Sequence, residues 1–287
     1  MGHALALPLA LVRIDLHVHS SASDGTDPPA EVMRRAGQAG LDVVALTDHD
    51  TMAGQAVAAR ALPPGLALVA GLELSGRLAG HSVHLLAYGT DPADPGLAAE
   101  CAAIVEARRS RGRRMVERLR ELGVAITWPQ VEALATGGVV GRPHIARAMV
   151  AAGAITEPAQ AFTPEWIVAG GRAYVSRYAL DPVRAIDLIS AAGGVAVLAH
   201  PGAVSRGWKI PEETIARLAG AGLAGLEIFH PDHDAAERSR LGALATSLDL
   251  IPSGGSDDHG SLTGYRIGAD TCPPESYERL MALRGDR

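Results

Sequence analysis

The sequence predicts an α/β fold in which the strands close into a barrel. The chain has 287 residues, a length that is ordinary for one α/β barrel. Hydrophobic residues make up 47% of it, which is enough to bury a large core. Short apolar runs alternate with helical patterns along most of the chain, and this alternation is typical of parallel strands joined by crossover helices.

The first part of the chain contains three predicted strands and a further apolar run. The strands are residues 11–16, 41–46 and 82–88, and the apolar run at 66–69 leads to Glu73. A helix is predicted to begin at Pro28, because proline suits the first turn, and to end at Gly40. A second helix is predicted at about residues 51–61, with Asp50 as its N-cap.

The alternation is interrupted and then resumes. Asp181 and Pro182 are typical of a helix start, as N-cap and first helical residue. Further strands are predicted at residues 195–199, 225–229 and 250–252. The interval between the strand at 82–88 and the helix that starts at Asp181 is mostly helical in pattern. It begins near the proline-rich segment 91–96. We therefore predict a barrel made of residues 1–91 and 172–287, with residues 92–171 inserted as a small helical subdomain.

Composition and charge exclude several classes of protein. The net charge is −6, so no overall basic character favours bulk nucleic-acid binding. The two cysteines lie far apart, which fits a reducing cytoplasm, and we expect a cytoplasmic protein. The apolar residues 4–12 lack the features of a signal peptide, and no run is long enough to span a bilayer. No feature predicts an obligate protein partner.

Nine histidine, aspartate and glutamate residues lie in short clusters, mostly where a buried strand is predicted to end. Polar groups beside apolar runs cost free energy unless something satisfies them, and side chains from seven places can hardly all pair with one another. A cluster of divalent cations would satisfy them together. The candidate ligands are His17, His19, Asp24, His49, Glu73, His84, His200, Asp257 and His259.

Two of these clusters have the same spacing. His17 and His19 lie on one face of a strand, because side chains alternate with a period of two. Asp257 and His259 repeat that arrangement after the last predicted strand. Either pair alone also fits polar residues hydrogen-bonded at a strand end, and only their combination with the other clusters favours metal binding.

The remaining candidates have ordinary alternatives as well. Considered apart from the other clusters, Asp24 also fits a turn residue, and His200 also fits a histidine that caps a helix. A lone buried Glu73 would be driven to protonate, whereas a carboxylate that bridges two cations would stay ionised. His84 faces the strand interior and is a better ligand than His81, which is expected in the preceding turn.

The ligand motifs together resemble those of a known family. His17-x-His19, Asp24, Thr47-Asp48-His49, Glu73, His84, His200 and Asp257-x-His259 match the metal-binding pattern of the PHP (polymerase and histidinol phosphatase) superfamily. The chain most resembles its branch of nucleoside 3′,5′-bisphosphate phosphatases and 5′-3′ exoribonucleases, and residues 141–147 resemble a motif in that branch's helical insertion. The resemblance implies a distorted (β/α)7 barrel with a trinuclear site of manganese, iron or zinc.

The same resemblance implies three divalent ions, manganese before iron or zinc, and a division of the ligands among them. His17, His19, Glu73 and Asp257 would hold the first ion. Glu73, shared, would hold the second with His84 and His200. The third would be held by Asp24, His49 and His259. Glu73 and Asp257 would be the catalytic carboxylates.

The implied chemistry is hydrolysis of a phosphoric ester. Two close cations lower the pKa of a bridging water, and the resulting hydroxide attacks phosphorus in line while the cations neutralise the phosphoryl oxygens. The resemblance predicts a small phosphorylated substrate, such as a nucleoside 3′,5′-bisphosphate, AMP or a short 5′-phosphorylated RNA.

Four residues are candidates for substrate contact. Arg142 and His144 would bind a terminal phosphate, although Arg142 also fits a solvated residue at a helix start. His230 would bind phosphate or protonate the leaving oxygen, and Arg177 is a weaker candidate. The arginines of residues 108–120 mostly fit the solvated face of a helix, with one or two reaching the pocket.

Three other functions remain open. A pocket fitted to a sugar or an imidazole would make the chain a hydrolase of cyclic or simple sugar phosphates, or of histidinol phosphate. A non-catalytic metal-binding module is disfavoured because every expected ligand is present. Amidohydrolase chemistry usually needs a lysine at the metal site, and Lys209, the single lysine, does not follow an apolar strand.

Overall fold

The strands form one seven-stranded sheet in which each strand pairs with the next along the sequence. The computed structural model describes residues 12–135, 140–176, 178, 180–203 and 208–284. The strands are β1 (Ile14–Val18), β2 (Val43–Leu46), β3 (Ala67–Leu78), β4 (His81–Tyr88), β5 (Val195–Leu198), β6 (Gly225–Phe229) and β7 (Ile251–Gly254).

Backbone hydrogen bonds bring the two ends of this sheet together. The His19 N–H donates to Asp258 O over 2.9 Å, and the Asp257 N–H donates to His17 O over 2.8 Å. These bonds connect the end of β1 with the segment that follows β7. The predicted distorted barrel of seven strands is therefore confirmed.

Helices cover the barrel and fill the interval between β4 and β5. They are α1 (Pro29–Gln38), α2 (Gln55–Arg60), α3 (Pro95–Glu121), α4 (Trp128–Ala133), α5 (Arg142–Ala151), α6 (Pro182–Ala191), α7 (Glu212–Gly220), α8 (Ala235–Ser247) and α9 (Pro274–Ala282). One predicted helix start and one predicted helix end are confirmed. Asp181 accepts a hydrogen bond from the Val183 N–H over 2.8 Å, and Gly40 follows α1 with a φ of +70°.

The prediction that Asp50 caps the second helix was wrong. The α2 helix begins only at Gln55. Asp50 has a φ of +55°, whereas an N-cap needs extended backbone. Its carboxylate instead accepts a hydrogen bond from the Ser75 N–H over 2.7 Å and pairs with Arg108 over 2.7 Å. Asp50 therefore connects the end of β2 to β3 and to α3.

The strand β4 runs against its neighbours, so the prediction of uniformly parallel strands was wrong there. Ala79 and Gly80 have φ values of +47° and +88° and form a tight turn. A two-residue connection can join only antiparallel strands. The resulting register pairs Ser75 with His84. Glu73 lies two residues before Ser75 on the same face, so it becomes a diagonal neighbour of His84.

The long helix α3 spans two separate apolar cores. Its first half contributes Leu97 and Ile104 to the core between the sheet and helices such as α6 and α7. Its second half contributes Met115 and Leu119 to a core formed with α4, α5 and the segment up to Val175. Within the described residues, no helix combines the length and apolar character needed to cross a membrane.

Candidate metal centre

The Glu73 carboxylate lies fully buried among histidines from several segments. Its Oε2 lies 3.3 Å from His17 Nε2, 3.2 Å from His19 Nε2 and 3.0 Å from His49 Nδ1. The alternation of side chains along β1 places the first two on one face, and His49 follows β2. In the described part of the chain, this oxygen accepts no hydrogen bond despite these three neighbours.

The other oxygen of Glu73 faces a second set of histidines. Its Oε1 lies 2.6 Å from His84 Nδ1 and 2.9 Å from His200 Nε2. His84 comes from the antiparallel strand β4. His200 follows β5 and has a φ of +31°, in the left-handed region of backbone conformation that residues other than glycine rarely adopt. One carboxylate thus faces two sets of nitrogen atoms, as a bridging ligand does.

Two aspartates lie on either side of this arrangement. Asp257 Oδ1 is 3.3 Å from Nε2 of each of the two β1 histidines. Asp24 Oδ1 is 3.3 Å from His259 Nε2, and Asp24 Oδ2 is 3.9 Å from His49 Nε2. Asp24 follows β1 and His259 follows β7, so the contacts between β1 and β7 bring these residues together.

Eight of the nine candidate ligands form three groups whose ligand atoms lie within 4.8 Å of one another. The groups are His19, Asp24, His49 and His259; His17, His19, Glu73 and Asp257; and His49, Glu73 and His84. The ninth candidate, His200, contacts Glu73. His19 and His49 each belong to two groups, a sharing that the division implied by the resemblance does not contain.

The electrostatics of the cluster keep the Glu73 carboxylate ionised but shift its histidines in opposite directions, since burial lowers the pKa of His49 to about 3. Burial opposes ionisation of Glu73, but His49 and His84 hold its pKa well below the usual range. Burial also lowers the pKa of His19, but the Asp257 and Glu73 carboxylates outweigh it and raise that pKa to about 10. Buried carboxylates and imidazoles in this arrangement fit divalent cations, and nitrogen and oxygen ligands without cysteine suit hard or borderline ions.

Comparison with known proteins identifies the family. The PHP domain model matches residues 15–108. The chain is 34% identical to the 3′,5′-nucleoside bisphosphate phosphatase of Chromobacterium violaceum, an alignment that covers 89% of this chain and 90% of the relative. It is 33% identical to the 5′-3′ exoribonuclease Rnm of Salmonella typhimurium, over 97% of this chain and 96% of the relative.

Two further relatives agree with this. The chain is 33% identical to a phosphoribosyl 1,2-cyclic phosphate 1,2-diphosphodiesterase of Eggerthella lenta, over 89% of this chain and 99% of the relative. A crystal structure described as a metal-dependent phosphoesterase of Bifidobacterium adolescentis superposes with a TM-score of 0.90 at 33% identity, over 96% of this chain and 98% of that one. The chain belongs to the PHP family. It is accordingly an enzyme, a metal-dependent phosphoesterase that hydrolyses phosphoric esters.

Two further carboxylates, which are not among the nine candidate ligands, support the candidate metal centre. Glu227 in β6 is fully buried and accepts a hydrogen bond from His17 Nδ1 over 2.9 Å. Asp48 accepts hydrogen bonds from the N–H and the hydroxyl of Ser20 and from the hydroxyl of Ser23, and so holds the segment that leads to Asp24. A carboxylate inside the apolar strand β6 is the same signal that identified Glu73.

His230, a candidate for substrate contact, lies beside the candidate metal centre. It is fully buried, and its Nε2 is 3.3 Å from Asp257 Oδ2. Its Nδ1 accepts a hydrogen bond from the Asp232 N–H over 3.0 Å. Neutral His230 must therefore carry its proton on Nε2, the atom that faces the cluster.

The other substrate candidates have different positions. His144 is buried in α5, and its Nδ1 accepts a hydrogen bond from the Gly141 N–H over 3.0 Å. Arg142 begins α5, and its guanidinium lies 5.5 Å from the centre of the Phe162 ring. Arg177 lies outside the described residues.

The sequence predicted His81 in the turn before the strand, and this prediction was wrong. It is the first residue of β4, where it pairs with Leu78. Its ring stacks on Trp208 with 4.3 Å between the ring centres. The prediction failed because the hairpin turn is shorter than the sequence pattern suggests, so that β4 begins one residue earlier.

Proposed function

We propose that this PHP phosphoesterase removes a phosphoryl group from small nucleotides that carry a second phosphate, such as a nucleoside 3′,5′-bisphosphate or a short 5′-phosphorylated RNA. The observation that carries this proposal is a pocket lined by arginines next to the candidate metal centre. Arg108, Arg111 and Arg142 line it, together with Gly141. A side-chain carbon built on Gly141 would lie 3.7 Å from Asp24 Oδ2, so the pocket borders the third group of ligands.

We assign the nine candidate ligands to three divalent ions, with manganese first and iron or zinc as alternatives. Glu73 and Asp257 would act as the catalytic carboxylates, with Glu73 shared between two ions. Bound divalent cations supply an activated water and neutralise the charge of the phosphoryl oxygens. The described residues support this assignment through the convergence of imidazole nitrogens on both oxygens of Glu73.

His230 would hold and move a proton during the reaction. The Asp232 N–H occupies its Nδ1, so the proton on Nε2 is directed toward the cluster. In this position it can donate a hydrogen bond to a phosphoryl oxygen or pass the proton to the leaving oxygen. Asp257 lies 3.3 Å from the same nitrogen and orients it.

The arginine pocket is suited to a second phosphate. Arg111 Nε donates a hydrogen bond to Val175 O over 2.7 Å, and burial and the neighbouring Arg142 lower the pKa of Arg111 to about 10. Arg108 reaches the same pocket from α3. Guanidinium groups gathered in this way repel one another, and a bound phosphate would relieve the repulsion through bidentate hydrogen bonds.

His144, near the start of α5, adds a further side-chain donor beside this pocket. Burial lowers the pKa of His144, so this residue is neutral at pH 7. Because its Nδ1 accepts from Gly141, its proton lies on Nε2, where it can donate to a phosphate. We infer that residues 92–171 form a helical insertion that covers the barrel of residues 1–91 and 172–287 and supplies this second phosphate site.

Replacing Arg142 by alanine tests the second phosphate site. We expect the KM for a nucleoside 3′,5′-bisphosphate to rise about 10- to 100-fold, because a charge-assisted hydrogen bond to phosphate is lost. The KM for p-nitrophenyl phosphate, which has one phosphate, is expected to change far less. Arg113→Ala is the matched control, because Arg113 is exposed and lies over the Trp128 ring. Equal effects of Arg142→Ala on both substrates would exclude Arg142 from recognition.

A substrate panel tests the function as a whole. Phosphate release by the manganese-loaded protein is measured on nucleoside 3′,5′-bisphosphate, AMP, short 5′-phosphorylated RNA, cyclic sugar phosphate and histidinol phosphate. Preference for the bisphosphate or the RNA would support the proposal. Preference for a sugar phosphate would favour the alternative suggested by the similarity to the Eggerthella lenta diphosphodiesterase. Absence of release from every substrate would contradict the proposal.

A further inference from the structure

The Glu227 carboxylate is a fully buried polar group next to the candidate metal centre that has no place among the nine ligands. It lies in the middle of β6 and is fully buried. Its neighbours in the strand, Leu226 and Ile228, pack in the apolar core between the sheet and the helices. Because strand side chains alternate, Glu227 points to the opposite side of the sheet, toward the metal centre.

Each oxygen of this carboxylate accepts a hydrogen bond from a different candidate ligand. Glu227 Oε1 lies 2.9 Å from His17 Nδ1. Glu227 Oε2 accepts from the His200 N–H over 2.7 Å. His17 and His200 come from β1 and from the end of β5, so one side chain connects two segments that are far apart in the sequence.

The first hydrogen bond determines which nitrogen of His17 can bind a cation. With Glu227 accepting at Nδ1, neutral His17 keeps its proton there, and the lone pair is on Nε2. That nitrogen lies 3.3 Å from Glu73 Oε2 and 3.3 Å from Asp257 Oδ1. A carboxylate behind a metal-binding imidazole generally orients the ring and increases its basicity.

The second hydrogen bond holds a strained backbone. His200 has a φ of +31°, which costs free energy in a residue with a side chain. The bond from its N–H to Glu227 stabilises that conformation. The strained backbone in turn directs His200 Nε2 to a position 2.9 Å from Glu73 Oε1. Glu227 therefore orients ligands on both sides of the Glu73 carboxylate.

We propose that Glu227 is a positioning residue that sets the geometry of two metal positions at once, through the ring of His17 and the backbone of His200. This inference rests on the proposed function, because it presumes that the nine residues hold metal ions. It makes a definite prediction for glutamine at this position. An amide has one oxygen and one NH2 group, so it can accept at only one of the two places where Glu227 accepts.

Glutamine should retain the bond to His200 and lose the bond to His17. The backbone N–H of His200 can only donate, so the amide oxygen of the glutamine is expected to stay opposite that N–H. The amide NH2 then faces His17 Nδ1, which must become an acceptor, and the proton moves to Nε2. In that tautomer His17 cannot bind a cation through Nε2.

The test measures metal binding directly. Metal-free Glu227→Gln and native protein are titrated with Mn²⁺ and with Zn²⁺ by calorimetry, and bound metal is counted by mass spectrometry. We expect one binding step to weaken about 10- to 100-fold in the variant and the remaining steps to change little. Glu227→Ala removes both contacts and is expected to weaken two steps. Glu31→Gln is the control, because Glu31 pairs with Arg34 and Arg35 on α1.

A second measurement needs no variant. In the zinc-loaded native protein, nitrogen NMR is expected to show a slowly exchanging proton on His17 Nδ1 and none on Nε2. A proton on Nε2, or metal binding by Glu227→Gln equal to that of the native protein, would overturn the role of Glu227 while leaving the proposed function intact. If the native protein binds no divalent ion, the proposed function fails and this inference fails with it.

Discussion

Replacing Glu73 by glutamine is expected to lower kcat/KM for the preferred phosphoric ester by at least about 10³-fold. Both oxygens of the native carboxylate face imidazole nitrogens, three near Oε2 and two near Oε1. An amide replaces one oxygen by a donor group and removes the negative charge. Cations on that side would lose a ligand and meet N–H groups instead. Phosphate release and bound metal per chain are the measurements.

Circular dichroism and a thermal melt separate this effect from unfolding. We expect the variant to keep its secondary structure, because glutamine has the size of glutamate. Glu278→Gln is the control, since Glu278 is exposed on α9 and its replacement should leave activity unchanged. Near-normal turnover of Glu73→Gln with full metal content would show that Glu73 is not part of the reaction.

Replacing Gly255 by alanine is expected to disturb the candidate metal centre from the backbone side. A side-chain carbon at Gly255 would lie 2.5 Å from both the N and the Cβ of His17, far inside contact distance. Neither atom can yield without moving β1. We expect the free energy of unfolding to fall by about 1–3 kcal/mol. Metal binding should weaken as well, because His17 moves away from Glu73.

A chemical denaturation series and a Mn²⁺ titration measure these two effects. Gly242→Ala is the matched control, because nothing lies within 4 Å of the added carbon in α8. Alanine favours a helix over glycine, so that control is expected to gain up to about 1 kcal/mol. Unchanged stability and metal affinity in Gly255→Ala would mean that β1 and the glycine segment are not packed as described.

Several features were predictable because they depend on neighbours in the sequence. Asp181 and Pro182 start α6 as expected, since N-cap chemistry needs only the next few residues. The spacing His17-x-His19 placed two imidazoles on one face for the same reason. The alternation of strands and helices predicted the barrel, and its closure at β1 and β7 agrees with that prediction.

Other features depend on which distant segments come together, and they were missed. Asp50 was expected to cap α2, but it pairs with Arg108 on α3 and with the backbone of Ser75. The direction of β4 follows from a two-residue turn whose left-handed backbone the residue types alone did not reveal. For the arginines of residues 108–120 the prediction was only general. One or two were expected to reach the pocket, and the packing of α3 decides that Arg108 and Arg111 do so, beside Gly141.

The sequence by itself determined the residue types of the candidate metal centre, because clusters of imidazoles and carboxylates at the ends of apolar runs need a common cation. Only the tertiary structure decided how these groups are arranged. It placed Glu73 between two sets of nitrogen atoms and Glu227 behind His17 and His200. Hydrogen-bond geometry between residues of different strands depends on barrel closure and strand register, which local sequence patterns do not contain.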